Sequence, residues 1–361
     1  EAKCPYCDFN SHVNESINVD NWIASYKNQI LAMKEELVEN NINFNCLNAI
    51  FFGGGTPSLM PLKIIESIIN ISKDIFGFQK DIEITLEANP SSYNSKNFIK
   101  LKQIGVNRLS LGVQSLNDKY LKFLGRLHDF RDIKSSLNDA SEIFDNISVD
   151  LIYAFHDQKL CEWVNELEIF LKTFNLQHLS LYQLTIEEGT KFHKEYKNGL
   201  IKVIDNDIAA EFYNISNKVL SDFNFMQYEV SNYAKQGFKC RHNLNYWKSE
   251  NWIGVGPGAY GRLWFSNTNL KRIEYQNYNN PKTWLSKNLL KPEFEKITEL
   301  EMDVFDADTL TMGLRLSDGI EISKLKNKSI ININSLKKLE NDEIVSLENN
   351  ILKVNENHMI K

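Results

Sequence analysis

Two cysteines stand close together near the start of the chain, in the stretch Cys4-Pro5-Tyr6-Cys7. A Cys-x-x-Cys pair serves a redox couple, half of a zinc site or part of an iron–sulfur site, because a thiolate is the working group in each. The other three cysteines, Cys46, Cys161 and Cys240, are scattered. An odd, dispersed set is poor material for a disulfide framework, so a reducing, cytoplasmic setting is expected.

Further candidates fall at the ends of apolar runs. Gly53, Gly54, Gly55 and Thr56 follow "LNAIFF" directly. Three glycines let backbone amides and carbonyls come close to a ligand, although a tight turn has the same need. Their spacing fits neither the dinucleotide fingerprint nor the P-loop. Glu87 closes "IEITLEA" and offers a carboxylate to a ribose or an amino group, and Gln114 follows "RLSLGV". Arg126, in "LGRLH", can grip a carboxylate through two nitrogens. Asp150 interrupts "ISVDLIYAF", where a charge is costly unless it is paired or bound. A solvated surface position is the plain alternative for each residue. Their recurrence at successive run ends points to a site.

The apolar runs at 47–52, 82–88, 108–113, 147–155 and 178–185 are rich in Ile, Leu, Val, Phe and Tyr, as buried parallel strands are. Between them lie stretches with apolar positions at helical spacing, such as 61–76 and 161–174, and a further helix over about 20–39 precedes the first run. This alternation predicts an α/β fold around a parallel sheet, either a barrel or a doubly wound sheet. In both, chemistry gathers at the carboxyl ends of the strands, where the polar candidates fall. After about residue 190 the rhythm breaks, and a helix over 206–222 leads into an aromatic, Asn-rich stretch over 226–262. The last 65 or so residues read as helices followed by short strands.

Composition narrows the partners. A formal net charge of −6 argues against nucleic acid or an anionic membrane surface. No run approaches the ~18 apolar residues of a membrane span, so no integral membrane segment is expected.

Taken together, "CPYCDFNSH", "FFGGGTPS", "LEANP", "NRLSLGVQS", "LGRLH", "DLIY", "YEVSNYAK", "HNLNYW" and "GVGPGAYGR" resemble, in order, a radical S-adenosylmethionine (SAM) protein of the oxygen-independent coproporphyrinogen III oxidase family, in its haem chaperone branch. The resemblance covers almost the whole chain. It implies an incomplete parallel (β/α)6 TIM-like barrel over residues 1–190, an accessory region over 191–296 and a small helical or winged C-terminal domain over 297–361. It implies a 4Fe–4S cluster and SAM as cofactors, with Cys4 and Cys7 as cluster ligands and one iron left open for SAM. In the family an electron from the cluster cleaves SAM to a 5′-deoxyadenosyl radical. The SAM site would be lined by Tyr6, Gly54, Gly55, Thr56, Glu87, Gln114, Arg126 and Asp150. Redox and zinc uses of the cysteine pair lose ground, since no thioredoxin-like pattern follows and no second close pair exists.

The branch is marked at two places. The oxidases carry a fourth cysteine two residues after the third, where this chain has Phe9. The chaperone branch carries His-Asn-x-x-Tyr-Trp, matched by His242, Asn243, Tyr246 and Trp247. Histidine is a common axial ligand of haem iron and aromatic rings stack on a flat porphyrin, whereas a structural aromatic corner is the alternative. The resemblance thus implies a chaperone that binds haem and passes it to an unidentified acceptor protein, with oxidative decarboxylation of coproporphyrinogen III as the alternative. Two departures stand out: Ala154, Phe155 and His156 replace the family's Gly-Leu-Pro, and Tyr260 replaces a histidine.

The family's cluster motif is Cys-x3-Cys-x2-Cys. Cys4 and Cys7 match its second and third members, so the first cysteine and a further barrel strand are expected upstream of Glu1. With two thiolates of three, these 361 residues alone are expected to hold a cluster poorly. Stable retention of four irons and four sulfides after anaerobic reconstitution would overturn that account of the start.

Overall fold

Strands and helices alternate through the first half of the chain. The computed structural model describes residues 3–12, 17–40, 42, 44, 46–92, 95–265, 271–355, 358 and 359. Helix α1 (Val19–Glu39) comes first, capped by Asn18, whose side chain accepts from the Asn21 N–H. Then follow β1 (Leu47–Phe52), α2 (Leu62–Phe76), β2 (Phe78–Ala88), α3 (Ser95–Gln103) and β3 (Arg108–Gln114). The alternation continues through α4 (Asp118–Phe123), α5 (Phe130–Ile143), β4 (Ile147–Tyr153), α6 (Leu160–Thr173) and β5 (His178–Gln183). After α7 (Lys191–Lys197) and α8 (Asn206–Asp222), two short strands, β6 (Met226–Gln227) and β7 (Asn232–Ala234), return to the same sheet.

The sheet runs β1-β2-β3-β4-β5-β7-β6. Strands β2 to β5 pair in parallel, whereas β7 pairs antiparallel with both β5 and β6. The five apolar runs of the sequence are therefore the five strands β1 to β5, and the fold class is the incomplete parallel α/β barrel expected. The antiparallel extension is an addition, since β6 and β7 are too short to leave a periodic signal.

Register divides the sheet into two unlike faces. Leu86 lies beside Leu109, which lies beside Ile147, and Leu111, Val149 and Leu179 form the next row. These side chains are buried, and they make a continuous apolar surface of the kind that helices cover. Residues one step along point the other way. On that face Thr85 lies beside Arg108, Glu87 beside Ser110, and Gly112, Asp150 and Ser180 share one row. The strands are thus apolar on one side and polar on the other, although each reads as a mostly apolar run.

Two compact units are formed. The first comprises residues 1–13, 50–60 and 83–239. Within it Trp163 is fully buried, stacks with Tyr153 and donates from its indole nitrogen to Ser216 Oγ at 2.8 Å. The second comprises residues 14–49, 61–82 and 240–361. Its later elements are α9 (Arg241–Trp247), β8 (Tyr260–Phe265), β9 (Lys271–Gln276), α10 (Pro281–Leu290), β10 (Lys296–Leu300) and α11 (Met302–Gly313). Strands β10, β9 and β8 form an antiparallel sheet whose Leu263 and Tyr275 pack with Met33 and Leu37 of α1. A small sheet of β11 (Ile320–Glu321), β12 (Val345–Glu348) and β13 (Ile351–Val354), with α12 (Ile333–Asn341), closes on its own apolar cluster around Ile320, Leu325 and Leu352. This is the small C-terminal domain.

Ala154, the first of the departures from the family pattern, follows β4 at φ +63°. That left-handed conformation suits glycine and costs an L-residue about 1–2 kcal/mol. The backbone is held there by Gln158, whose Oε1 accepts from the Ala154 N–H at 2.8 Å and the Phe155 N–H at 3.4 Å. Removing the methyl group relieves the strain, so Ala154→Gly is expected to raise the unfolding free energy by about 1 kcal/mol despite the added freedom of the unfolded chain. A denaturant titration showing no gain, or a loss, would mean that the methyl group's packing outweighs its strain.

Candidate functional site

The cysteine loop is tied down at several points within the first unit. The Cys7 N–H donates to the Cys4 carbonyl at 3.2 Å, which closes a tight turn, and the Phe192 N–H donates to the Pro5 carbonyl at 2.9 Å. Gly125 lies against this turn at φ +68°, where a Cβ atom would come within 2.6 Å of Pro5 Cδ. Only glycine permits that approach. Arg126 then reaches back, its Nη1 standing 3.7 Å from Cys4 Sγ. Its Nη2 donates to Asn89 Oδ1 at 2.8 Å and to the Gly112 carbonyl at 2.5 Å. Both thiols are half-buried, and burial pushes the Cys7 thiol above its usual range. A cavity of about 940 Å³ opens beside them, lined by Cys4, Cys7, Phe123, Gly125, Phe192 and Ile201 among others.

Tyr6, between the two cysteines, packs against the apolar cluster of Tyr120, Leu124, Phe155 and Phe192. Its hydroxyl is pushed up to about 12, mainly by burial, with the nearby Arg126 charge opposing. It therefore stays protonated and can donate a hydrogen bond.

The polar face of the sheet meets the glycine loop at Glu87. The Gly54 N–H donates to Glu87 Oε2 at 3.2 Å, and the space on the side-chain face of Gly54 is open to 4 Å. Thr56 Oγ1 accepts from Asn89 Nδ2 at 3.4 Å. Glu87 is pushed up to about 8, first by burial and then by the Asp150 charge, against the Gly54 amide and Arg108. Asp150 rises to about 6, again chiefly through burial, with a hydrogen bond to Ser180 and the charges of Arg108 and Arg126 opposing. Tyr182 also rises, through burial and then Asp150, although 43% of its surface meets water. Gln114 ends β3 at φ +71°, where the pairing with β4 shifts by one residue and turns its side chain out of the strand's alternation.

Within this unit the structure brings together Cys4, Tyr6, Gly54, Thr56, Glu87, Arg126 and Asp150 through the contacts given. Gly55 sits where a Cβ would come 3.2 Å from Ser11 Cβ, so it bounds the same loop. Arg108, Asn89, Ser180 and Tyr182 belong to the arrangement too, and reading the runs for apolar content alone passes over them. The missed signal is strict alternation: Arg108, Ser110 and Gly112 in β3, Ser148 and Asp150 in β4, His178, Ser180 and Tyr182 in β5.

His242, Tyr246 and Trp247 lie on α9 in the second unit. The His242 Nδ1 is 2.9 Å from Cys240 Sγ, which orients the ring, and Tyr246 meets His242 edge-on at 5.9 Å. Tyr246 in turn stands edge-on to Trp252 at 4.9 Å, and the Arg315 guanidinium lies 4.7 Å from the Trp247 ring centre. Tyr260, in place of the family's histidine, is exposed.

Comparison with known proteins places this geometry. Residues 1–169 match the Radical SAM superfamily. The haem chaperone HemW of Buchnera aphidicola is 36% identical over 309 residues, covering 84% of this chain and 79% of the relative. The chain belongs to the HemW branch of the radical SAM superfamily. A mitochondrial radical SAM domain-containing protein 1 from Dictyostelium discoideum is also 36% identical, covering 89% of this chain and 79% of the relative. Among solved structures, coproporphyrinogen III oxidase (HemN) from Escherichia coli superposes with a TM-score of 0.77 at 18% identity, over 99% of this chain and 84% of that one. That likeness shows the fold.

Membership in the radical SAM superfamily implies a 4Fe–4S cluster and SAM, and the residues present fit both. Two thiols on one turn suit a metal-bound cluster. Arg126, whose buried Nε has no hydrogen-bond partner among the described residues, brings a cation beside Cys4 Sγ. The open side of Gly54 leaves room for a bound group beside Glu87.

The two raised carboxyls make ligand-free stability depend on pH. In the unfolded chain Glu87 titrates near 4.3. Its folded value of about 8 means that its favourable contribution is complete below pH ~4 and is lost as pH rises to about 8. Glu87→Gln keeps an acceptor for the Gly54 amide and removes this dependence. Relative to the parent, its thermal stability is expected to rise between pH 4 and 8 and then level off. Parallel melting curves across that range would show instead that Glu87 ionises freely in the folded state.

Proposed function

We propose that the protein is a haem chaperone, which binds haem and hands it to an acceptor protein, and which carries a 4Fe–4S cluster and SAM in support of that role. The observation that carries this reading is the 36% identity to the haem chaperone HemW of Buchnera over 84% of the chain. Cys4 and Cys7 are assigned as cluster ligands. Tyr6, Gly54, Gly55, Thr56, Glu87, Gln114, Arg126 and Asp150 are assigned to SAM.

When bound, the cluster and SAM together supply one-electron chemistry at a sulfonium carbon. The chain's own residues do the holding. Arg126 presents a guanidinium to a carboxylate beside Cys4 Sγ, and Glu87, held through Oε2 by the Gly54 N–H, offers its other oxygen to hydroxyl or amino groups. Asp150, raised to about 6, is mostly ionised at neutral pH and favours a positively charged neighbour. Tyr6 and the apolar cluster behind it keep water from the inner side of the cysteine loop.

His242 is assigned as an axial ligand for haem iron, with Tyr246 and Trp247 as flanking aromatics. Its ring lies beside Cys240 Sγ, with Nδ1 2.9 Å away, and imidazole nitrogen is a common ligand of haem iron. Phe9 supports the chaperone over the oxidase, because it stands where the oxidases carry a further cysteine, and it is 55% exposed. The likeness to HemN, at 18% identity, extends to fold and no further. A reducing compartment, the cytoplasm, suits five cysteines that form no disulfide among the described residues. No helix of the described residues is long and apolar enough to cross a membrane.

Anaerobically reconstituted full-length protein tests this. Haem is expected to bind with a Soret band typical of imidazole ligation, and His242→Ala should weaken binding at least tenfold. Incubation with SAM, reductant and coproporphyrinogen III should give no protoporphyrinogen IX. Efficient decarboxylation would replace the chaperone reading with that of an oxidase.

A further inference from the structure

The second unit contains a buried guanidinium with no hydrogen-bond partner among the described residues. Arg272, on β9, is 1% exposed, and none of its three nitrogens has a hydrogen-bond partner among the described residues. A guanidinium presents five N–H donors in a planar fork, and burying it without acceptors is among the costliest arrangements a fold can contain. Three aromatic rings partly offset this. The guanidinium carbon lies 5.3 Å from the ring centre of Trp264, 5.2 Å from that of Phe305 and 5.9 Å from that of Trp252.

The only acid within ion-pair range among the described residues is Asp308 on α11, 3.5 Å from Nη1. Asp308 is already engaged, since it accepts from Arg262 Nη1 at 2.5 Å. Arg262, opposite Glu274 across β8 and β9, also donates from Nε to that carboxylate at 2.7 Å. Two carboxylates thus bond one arginine closely, and the other has only a longer ion pair to one of them. Burial and the neighbouring Arg262 charge lower Arg272 to about 10, so it remains a cation at neutral pH.

A path of aromatic contacts leads from this cage to α9. His242 meets Tyr246, Tyr246 meets Trp252, and Trp252 forms one wall around Arg272. Haem combines an iron that accepts an imidazole, a flat apolar ring and two carboxylate arms on one edge. An imidazole, a run of aromatic rings and an under-bonded guanidinium are the matching set, in matching order. Phe305 and Asp308, which cover the guanidinium, both belong to α11, and α11 packs on α9 and β9.

We propose that Arg272 is the anchor for a carboxylate arm of haem, and that Asp308 is an internal carboxylate which the arm displaces. This rests on the haem reading above. In the structure described, Asp308 and Phe305 keep the cage shut. A haem carboxylate offers Arg272 the bidentate contact that Asp308, shared with Arg262, does not give it. Engagement would loosen α11 from β9, so binding of the cargo is coupled to movement of one helix.

The test is a spectroscopic titration of full-length, cluster-loaded protein with ferric haem and with its dimethyl ester, in which both carboxylates are capped. The parent should bind the free acid at least tenfold more tightly than the ester. Arg272→Met, similar in bulk and uncharged, should lose about tenfold to a hundredfold for the acid and little for the ester, in keeping with loss of a charge-assisted hydrogen bond. Its Soret band should keep the position set by His242. Asp308→Asn, which still offers Arg262 an acceptor, should bind the acid several-fold more tightly. Equal affinity of the parent for acid and ester would overturn the proposal and leave the haem reading standing. So would unchanged binding in Arg272→Met, which would make the residue a structural cation. Should Arg272→Met fail to fold, the ester comparison on the parent decides. If the parent binds no haem, or binds it independently of His242, the haem reading fails and the anchor with it.

Discussion

Arg126 is the tie on which the first unit's site depends. Through one planar group it reaches Cys4 Sγ in the cysteine loop, Asn89 after β2 and the Gly112 carbonyl in β3. Each contact needs a concession elsewhere. A Cβ on Gly112 would lie 2.7 Å from Arg126 Nη2, and a Cβ on Gly125 would strike Pro5. The two glycines therefore let a long cation pass close to backbone, and the cysteine loop gains a fixed position against the ends of two strands. Without this cation, Tyr6 and Asp150 would each lose an opposite charge that eases the burial of their ionised forms.

The same need to compensate buried charge explains the sheet. The Asp150 charge raises the cost of ionising Glu87, while Arg108 lies between the two strands that bear them, 2% exposed and 3.4 Å from Thr85. A face carrying this many polar groups would be expensive as a plain core. It makes sense where a polar ligand with charges of both signs supplies the missing partners. The opposite face, from Leu86 to Leu179, bears the packing that holds the strands in register. A slip of one residue would exchange the two faces, so the register that stabilises the sheet also aims its polar groups.

Much of this was legible in the sequence. The five parallel strands were, because apolar β-rich runs separated by helical periodicity leave few other folds. The candidate positions at strand ends stood out too, since Asp150 within an apolar run and glycines after β1 are locally odd. The alternation that puts Arg108, Ser180 and Tyr182 on the polar face went unread, because a buried sheet is apolar on average and the average hides a period of two. Gln114 was visible as a residue but not as a positive-φ position, which only the surrounding packing enforces. Strands β6 and β7 are too brief for any periodic signal, and their place is set by pairing with β5.

Arg126 and Arg272 show how one side chain can serve opposite ends. Arg126 spends Nη2 on two oxygens and Nη1 on a sulfur, and such a group is fixed before any ligand arrives. Its value is preorganisation: a ligand carboxylate meets a guanidinium whose entropy is already lost. Arg272 is held by rings and by a 3.5 Å ion pair to Asp308, an acid that bonds Arg262 more closely. Aromatic faces constrain position but not hydrogen-bond direction, so the fork stays available to whichever carboxylate meets it best. A sequence reader sees two arginines near aromatic or glycine-rich stretches. What separates a positioned cation from an available one is the count of acceptors around it, and that count is a property of the fold.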